Sequence, residues 1–419
     1  MANRDALLER YLRVRSTTEA LAEPLTGEDQ QLQSMPNASP TKWHRAHTTW
    51  FFETFLLAPA GIAPDDPRFG FLFNSYYDAV GERLARPKRG MLSRPTTQEV
   101  SSYRRVVDGR VAELLRSLDD PRLAVVAPIV ELGLAHEEQH QELILTDILH
   151  AFSENPCGPV YRGGAVGAVA GVTDADARWR TFAGGVVEVG AADDGFSFDN
   201  ERPRHKVFLR DYRLASRPIS VGDVKAFVDG RGYDTPSLWL TQGYDTARAG
   251  GWRAPQYWRS DDGELRVFTL RGWHAPRDDE PASHLSFWEA EAIARFLDAR
   301  LPTEAEWEHA ASTEPADVGN FADGPLVPQG LGSCAAPTGP RQLFGDVWEW
   351  TRSAYDPYPG YAATEGALGE YNAKFMAQQM VLRGGSCFTP RGHARASYRN
   401  FWHPDTRFQM AGARLAQDV

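Results

Sequence analysis

The sequence predicts two domains of different class, an N-terminal four-helix bundle and a C-terminal α+β domain. Four segments before residue 153 carry apolar residues at helical spacing. From residue 179 onward, short β-like runs are separated by Gly and Asp, which is typical of a loop-rich α+β domain. A length of 419 residues also favours two domains. We therefore expect domains at 1–153 and 179–419, joined by a linker at 154–178 that is rich in Gly, Ala and Pro.

Apolar periodicity predicts the elements of each domain in order. In the bundle, the predicted helices are 5–18, 42–57, 100–117 and 121–152, with a longer crossover at 58–99. The last helix has the strongest pattern, which extends from Val125 to Leu149. In the second domain, we expect helices at 284–297 and 303–311 and strands at 186–189, 206–209 and 381–383.

Charge and composition exclude several classes of function. The 45 Lys and Arg against 56 Asp and Glu give a net charge of −11, so no positive field draws the chain to nucleic acid. No apolar run approaches the roughly 20 residues of a membrane span, and the first residues have the pattern of an amphipathic helix rather than a secretion signal. The three cysteines, Cys157, Cys334 and Cys387, are scattered and form no CxxC pair. We expect a cytoplasmic protein without nucleic-acid or membrane partners.

The last bundle helix contains the sequence HEEQH at 136–140. Because His136 and His140 are four residues apart, both project from one helix face and can bind one metal ion. HExxH is also the signature of zinc proteases, in which Glu137 would be the general base, but the downstream Gly and His of one large class are absent. A zinc hydrolase and a pair of histidines on a solvated helix face both remain alternatives.

A third histidine favours a metal site. His47 lies in a strongly apolar stretch of the second predicted helix, and bundle cores commonly hold metals between facing helices. One histidine from this helix and two from the last would form a site of three nitrogens. Imidazole binds Zn, Cu, Fe and Ni, so the residue types do not choose the metal. His44 is a competing ligand, but its neighbour Arg45 predicts a more exposed face, so we prefer His47.

Several motifs together resemble the ergothioneine-biosynthetic sulfoxide synthases. In the first domain they are QSMP at 33–36, WHRAHTTWFFETF at 43–55, FNSYY at 73–77 and HEEQHQEL at 136–143. In the second domain they are RLPTEAEWE at 300–308, GDVWEWT at 345–351, LRGGS at 382–386 and GARL at 412–415. The resemblance covers nearly the whole chain. It implies a DinB-like four-helix bundle followed by an α+β domain of the formylglycine-generating-enzyme and sulfatase-modifying type, which is C-type-lectin-like.

The family resemblance implies a specific chemistry and a set of metal ligands. Such enzymes use iron(II) and O2 to join a cysteine-type thiol to C2 of the imidazole of hercynine, and they oxidise the sulfur to a sulfoxide. The resemblance implies His47, His136 and His140 as the iron ligands. The expected substrates are hercynine, L-cysteine and O2, and the expected product is S-(hercyn-2-yl)-L-cysteine S-oxide.

The resemblance also implies a proton donor and a branch of the family. The pair Tyr76 and Tyr77 lies in the crossover, as in the branch that takes free cysteine, and one of the two hydroxyls would deliver the proton. Simple packing of both rings is the alternative. γ-Glutamylcysteine or a selenosugar as donor, and histidine itself as acceptor, remain open.

Six further residues are candidates for binding substrate. Arg86 and Arg89 follow the tyrosine pair and could bind the cysteine carboxylate, unless they belong to a solvated basic loop. Gln139 and Asn400 match hercynine-binding positions of the family. Phe401 and Trp402 offer aromatic faces for the trimethylammonium group, which cannot donate a hydrogen bond. We expect the GDVWEWT and RLPTEAEWE motifs to form scaffold.

Overall fold

A computed structural model of the chain describes residues 3–164, 179–193, 195–330, 339–363, 365–370 and 372–419. The chain forms two compact units, Met1–Arg162 with Ala363–Tyr371, and Gly163–Ala362 with Asn372–Val419. Cys334 and most of the predicted linker, at 165–178, lie outside the described residues. The domain bounds 1–153, 154–178 and 179–419 stay a prediction.

Four long helices build the first unit. They are α1 (Arg4–Ala22), α2 (Thr41–Phe52), α4 (Thr97–Ser117) and α5 (Asp120–Ser153), with the short α3 (Phe69–Phe73) in the crossover. A turn of π-helix, Glu53–Leu57, continues α2. Side-chain caps begin three of the long helices, at Asn3, Thr96 and Asp119. All four predicted helices are confirmed, although α1 runs four residues beyond its predicted end because Leu21 and Ala22 are buried.

Helix α2 lies at the centre of this unit, and every one of its residues is buried. The expectation that Arg45 marks an exposed face is therefore wrong. Its guanidinium is buried and donates to the Glu19 carboxylate and to Gln30 Oε1 at 2.9 Å, so the charge is compensated inside the bundle. His44 is buried with it.

The crossover loop that carries the tyrosine pair is held by hydrogen bonds from two directions. Asn74 donates to Tyr77 O at 3.0 Å and accepts from Tyr77 N at 3.1 Å, which closes a tight turn. Just beyond it, the carboxylate of Glu370 accepts from Asp78 N at 2.9 Å and from Ala79 N at 2.8 Å. The segment Ala363–Tyr371 thus belongs to the bundle unit although it is nearly 300 residues away in sequence.

The second unit is built on a six-stranded sheet. The strands of the unit are β1 (Trp179–Phe182), β2 (Gly185–Val189), β3 (His205–Leu209), β4 (Tyr212–Pro218), β5 (Trp258–Asp261), β6 (Glu264–Thr269), β7 (Gly272–His274), β8 (Trp348–Ala354), β9 (Met380–Arg383), β10 (Asn400–Trp402) and β11 (Ala411–Asp418). The order of the six-stranded sheet is β1-β4-β11-β8-β9-β10, and its neighbours pair antiparallel except β11 and β8, which are parallel. A helical bundle followed by an α+β domain confirms the predicted fold class.

The second unit contains more helix than the sequence predicted. The expected helices are present as α8 (Phe287–Phe296) and α9 (Glu304–Ala311). Two others were missed, α6 (Val221–Asp229) and α7 (Thr241–Ala249), because nine residues are too few for a clear apolar period. The capping box of Ser220 and Asp223 was the available signal for α6.

The RLPTEAEWE, GDVWEWT, LRGGS and GARL motifs of the second unit form its buried scaffold. Arg414 and Glu349 form an ion pair at 2.8 Å in which both side chains are fully buried, and Trp307 Nε1 donates to the same carboxylate at 2.7 Å. The fully buried Arg383 side chain pairs with the carboxylates of Glu304 at 3.1 Å and Glu308 at 2.9 Å. Cys387 is also buried. Across the described segments, no helix combines the length and the apolar character that crossing a membrane requires.

Candidate metal centre

Three imidazoles from two helices meet in the core of the bundle. Helix α2 contributes His47, and α5 contributes His136 and His140, and all three side chains are buried. One nitrogen from each lies within 4.8 Å of the other two. His47 Nε2 and His136 Nε2 are 3.1 Å apart, which lies within the spacing of about 3.0–3.4 Å expected for two nitrogens that share one ion at about 2.1 Å.

The ring of His47 is oriented by aromatic neighbours on its own helix. Trp43, one turn before it, stacks on it with centroids 4.6 Å apart and planes 13° from parallel. Trp50, one turn after it, stacks at 5.7 Å and 18°. The two indoles leave the imidazole little freedom to rotate, so the direction of its nitrogens is defined before any ligand binds.

Hydrogen bonding fixes which nitrogen of His47 is available. Its Nδ1 lies 2.6 Å from the carbonyl oxygen of Phe73, and a carbonyl only accepts, so Nδ1 carries the proton. The lone pair is then on Nε2, which faces His136. Burial lowers the pKa of His47 and His140 well below the usual value and that of His136 to about 3, so all three rings are neutral, as ligation requires. The residues fit a divalent metal that prefers imidazole.

His44 is not part of this trio, although it touches it. Its Nδ1 lies 2.7 Å from His140 Nδ1, and its Nε2 lies 3.0 Å from Asp147 Oδ2. Burial lowers the pKa of His44 despite the nearby carboxylate, so this ring is neutral as well. Sequence reasoning missed Asp147, although its position seven residues after His140 places it on the same face of α5.

Glu137 is held in a cluster of buried cations. Arg15 Nη1 donates to it at 2.7 Å, Arg104 Nη2 at 2.9 Å and Thr18 Oγ1 at 2.6 Å. Burial alone would raise the pKa of Glu137, but the charges of Arg15 and Arg104 outweigh it and lower the pKa to about 2. A carboxylate so occupied and so weakly basic is a poor general base, so this geometry does not support the zinc-hydrolase alternative.

The structure brings the tyrosine pair into the same aromatic cluster as the histidines. Tyr77 is fully buried, and its ring centroid lies 5.0 Å from Phe55 and 5.8 Å from Trp50, the indole that stacks on His47. Tyr76 is half-buried and packs on Tyr77 at 4.7 Å. The two rings therefore pack on each other and on aromatic neighbours of the candidate metal centre, and their catalytic role stays a prediction.

The two candidate arginines occupy different environments. Arg86 is exposed, whereas the Arg89 side chain is 1% exposed and lies over the ring of Trp43 at 3.4 Å. Arg89 donates to two serine hydroxyls, Ser39 at 2.9 Å and Ser75 at 3.1 Å. Among the described residues no carboxylate pairs with it, its Nε has no acceptor, and burial lowers its pKa. A buried cation without a counter-ion is suited to an anionic ligand.

The remaining candidates lie on two elements. Gln139 is half-buried on α5, directly before His140. Asn400, Phe401 and Trp402 form β10 of the second unit and are half-buried. Phe401 stacks on Tyr355 with centroids 3.9 Å apart, and Asn400 Oδ1 accepts from Phe401 N at 2.8 Å. Sequence reasoning missed Tyr355.

Comparison with known proteins agrees with both parts of the fold. Residues 10–144 match the DinB superfamily, and residues 177–323 and 318–419 match the sulfatase-modifying factor enzyme 1-like domain. Hercynine oxygenase of Mycolicibacterium smegmatis is 32% identical over 100% of both chains, and that of Mycobacterium tuberculosis is 32% identical over 92% of both. Ergothioneine biosynthesis protein 1 of Schizosaccharomyces pombe is 27% identical over 53% of this chain and 28% of its own.

Replacing Glu137 by Gln should destabilise the bundle, because Arg15 and Arg104 lose a buried counter-charge. We expect the free energy of unfolding to fall by roughly 3–5 kcal/mol in urea denaturation followed by circular dichroism. Glu131→Gln is the matched control, since this α5 carboxylate makes no ion pair among the described residues. Unchanged stability of Glu137→Gln would contradict a structural role for Glu137.

Proposed function

The chain belongs to the hercynine oxygenase family, and on this basis we propose that it is an iron(II)-dependent sulfoxide synthase that uses O2. The reaction forms a bond between the sulfur of L-cysteine and C2 of the hercynine imidazole. The C–H and S–H bonds break, one atom of O2 becomes the sulfoxide oxygen, and the other leaves as water with the two hydrogens. The observation that carries the proposal is the meeting of three neutral imidazoles, His47, His136 and His140, in a buried core.

His47, His136 and His140 would hold the iron. When bound there, the ion would supply a redox-active Lewis acid for O2 and the thiolate. A ligand set without carboxylate or thiolate leaves the charge of the ion uncompensated by its ligands, which favours binding of an anionic thiolate beside it. The burial of all three rings keeps bulk water away from the ligand nitrogens.

Arg89 is the better candidate for the carboxylate of the thiol donor. Its guanidinium is buried, lacks a counter-ion in the described structure and stacks on Trp43, which in turn stacks on His47. A carboxylate bound there would lie in the neighbourhood of the metal ligands. Arg86 is exposed, so its contribution is long-range attraction rather than a fixed contact.

The tyrosine pair and four further residues complete the proposal. A hydroxyl of Tyr76 or Tyr77 donates the proton that O2 reduction requires, and the pair indicates free cysteine as the donor. Gln139 and Asn400 hydrogen-bond to the amino-acid part of hercynine. Phe401 and Trp402 offer ring faces to its trimethylammonium group.

Loading with Fe(II) under anaerobic conditions tests the whole proposal. O2 is then admitted to hercynine with L-cysteine, γ-glutamylcysteine and a selenosugar as competing donors. Mass spectrometry should identify S-(hercyn-2-yl)-L-cysteine S-oxide as the main product. His47→Ala should lose bound iron and product together, because one of three ligands is gone. His205→Ala, a half-buried histidine on β3, should retain both. Preferred turnover of either other donor would overturn the choice of cysteine.

Tyr77→Phe should slow C–S bond formation by about 100-fold or more and divert O2 to oxidation of the thiol, because the positioned acid is removed. The ratio of sulfoxide to cystine, with O2 uptake measured in parallel, reports this change. Tyr103→Phe is the control, since this buried tyrosine donates to Glu53 at 2.8 Å. An unchanged ratio would exclude Tyr77 and make Tyr76→Phe the next variant.

Arg89→Leu should raise KM for cysteine by roughly 10–100-fold and leave KM for hercynine nearly unchanged, because one charge-assisted contact to the cysteine carboxylate is lost. Arg86→Leu should show the same selectivity with a smaller effect, since Arg86 is exposed. Arg68→Leu, exposed in the same crossover, serves as the control. Equal increases in KM for both substrates would contradict the assignment.

A further inference from the structure

We propose that Asp147 and His44 form an outer relay that sets the tautomer of His140 and directs its Nε2 to the metal. They are positioning residues, since neither would touch the ion. The inference rests on the metal site of the proposed function and not on its substrates or products. Each link of the relay follows from which atoms can donate and which can only accept.

The first link is the hydrogen bond between His44 and Asp147. The Asp147 Oδ2 atom lies 3.0 Å from His44 Nε2 and accepts from Ser39 N at 2.8 Å. An ionised carboxylate only accepts, so His44 Nε2 must carry the proton. In the neutral ring, a proton on Nε2 leaves the lone pair on Nδ1, which can then only accept.

The second link joins the two histidines. His44 Nδ1 and His140 Nδ1 are 2.7 Å apart, and His44 can only accept here, so His140 Nδ1 is the donor. His140 therefore has its lone pair on Nε2. That nitrogen is left to face His47 and His136, whose ring centroids lie 4.7 and 4.6 Å from the centroid of the His140 ring.

The short distance between the two Nδ1 atoms also argues that His44 is not itself a ligand. Two nitrogens at about 2.1 Å from one ion and at right angles are about 3.0 Å apart, and wider angles separate them further. At 2.7 Å, the contact has the length of a hydrogen bond. Both nitrogens of His44 are then occupied, one by Asp147 and one by His140.

The relay makes the two helices contribute unlike ligands. His47 donates its Nδ1 proton to a neutral carbonyl, Phe73 O, whereas His140 is linked through His44 to a carboxylate. Outer carboxylates orient a ligating imidazole and raise its basicity, and their loss typically costs about 10–100-fold in metal affinity. The relay therefore predicts that His140 is the more strongly donating ligand of the two.

Cobalt(II) binding to the full chain tests the relay without turnover. His44→Phe should lower Co(II) affinity by about 10–100-fold in a chelator competition and shift the visible Co(II) absorption bands. The reason is that His140 Nδ1 loses its acceptor, so the ring is no longer held in the tautomer with its lone pair on Nε2. Asp147→Asn should lose less than His44→Phe. Its amide oxygen can still accept from Ser39 N and His44 Nε2, so only the charge disappears. Asp147→Ala should lose as much as His44→Phe and carries the test if His44→Phe does not fold.

A matched control separates positioning from general damage. Gln141→Leu removes two buried hydrogen bonds of α5, to Val14 O and Thr18 Oγ1, and should lower the melting temperature without changing Co(II) affinity. Wild-type affinity and spectrum in both His44→Phe and Asp147→Ala would overturn the relay. A reduced Co(II) coordination number in His44→Phe would overturn it too, in favour of His44 as a ligand. Wild-type protein that binds metal but makes no sulfoxide would contradict the proposed function and leave the relay unaffected.

Discussion

The candidate metal centre of the first unit depends on one constraint, which is the burial of the uncharged imidazoles of His47 and His140 with their N–H groups hydrogen-bonded. An imidazole in a dry core must be neutral, and a neutral ring has one donor and one acceptor nitrogen. In this bundle the donor of His47 is bound by a backbone carbonyl and that of His140 by a neighbouring histidine. Satisfying the donors in this way turns the lone pairs toward each other, and that arrangement can bind a cation.

One turn of helix α5 presents side chains to two different environments. Its histidines face α2, while Glu137, between them in sequence, is paired with Arg15 of α1 and Arg104 of α4. The HExxH pattern therefore has a structural glutamate in place of a general base. The same five letters support hydrolysis in one fold and a ligand pair in another, because function depends on what surrounds the glutamate.

The second unit uses buried charge for scaffold rather than chemistry. Its sequence motifs meet in ion pairs such as that of Arg414 with Glu349. The Glu349 carboxylate also accepts a hydrogen bond from Trp307. Removing one partner would strand the other in the core, so such pairs constrain the sequence strongly. This explains why the GDVWEWT and RLPTEAEWE motifs specify the fold, and why the functional assignment needs the motifs of the first unit as well.

The sequence by itself determined the four bundle helices and the pair His136 and His140, because apolar periodicity and an i, i+4 spacing are local properties of the chain. The choice of His47 over His44 as the third histidine of the cluster came from the packing of α2 against α5. The tertiary structure alone decided that His44 and Arg45 are buried, that Arg89 is buried without a counter-ion among the described residues whereas Arg86 is exposed, and that Glu137 is tied to cations. Arg15 and Glu137 are 122 residues apart, and His44 and Asp147 are 103 apart. Partners so distant are chosen by how the helices pack, and no short stretch of sequence records that packing.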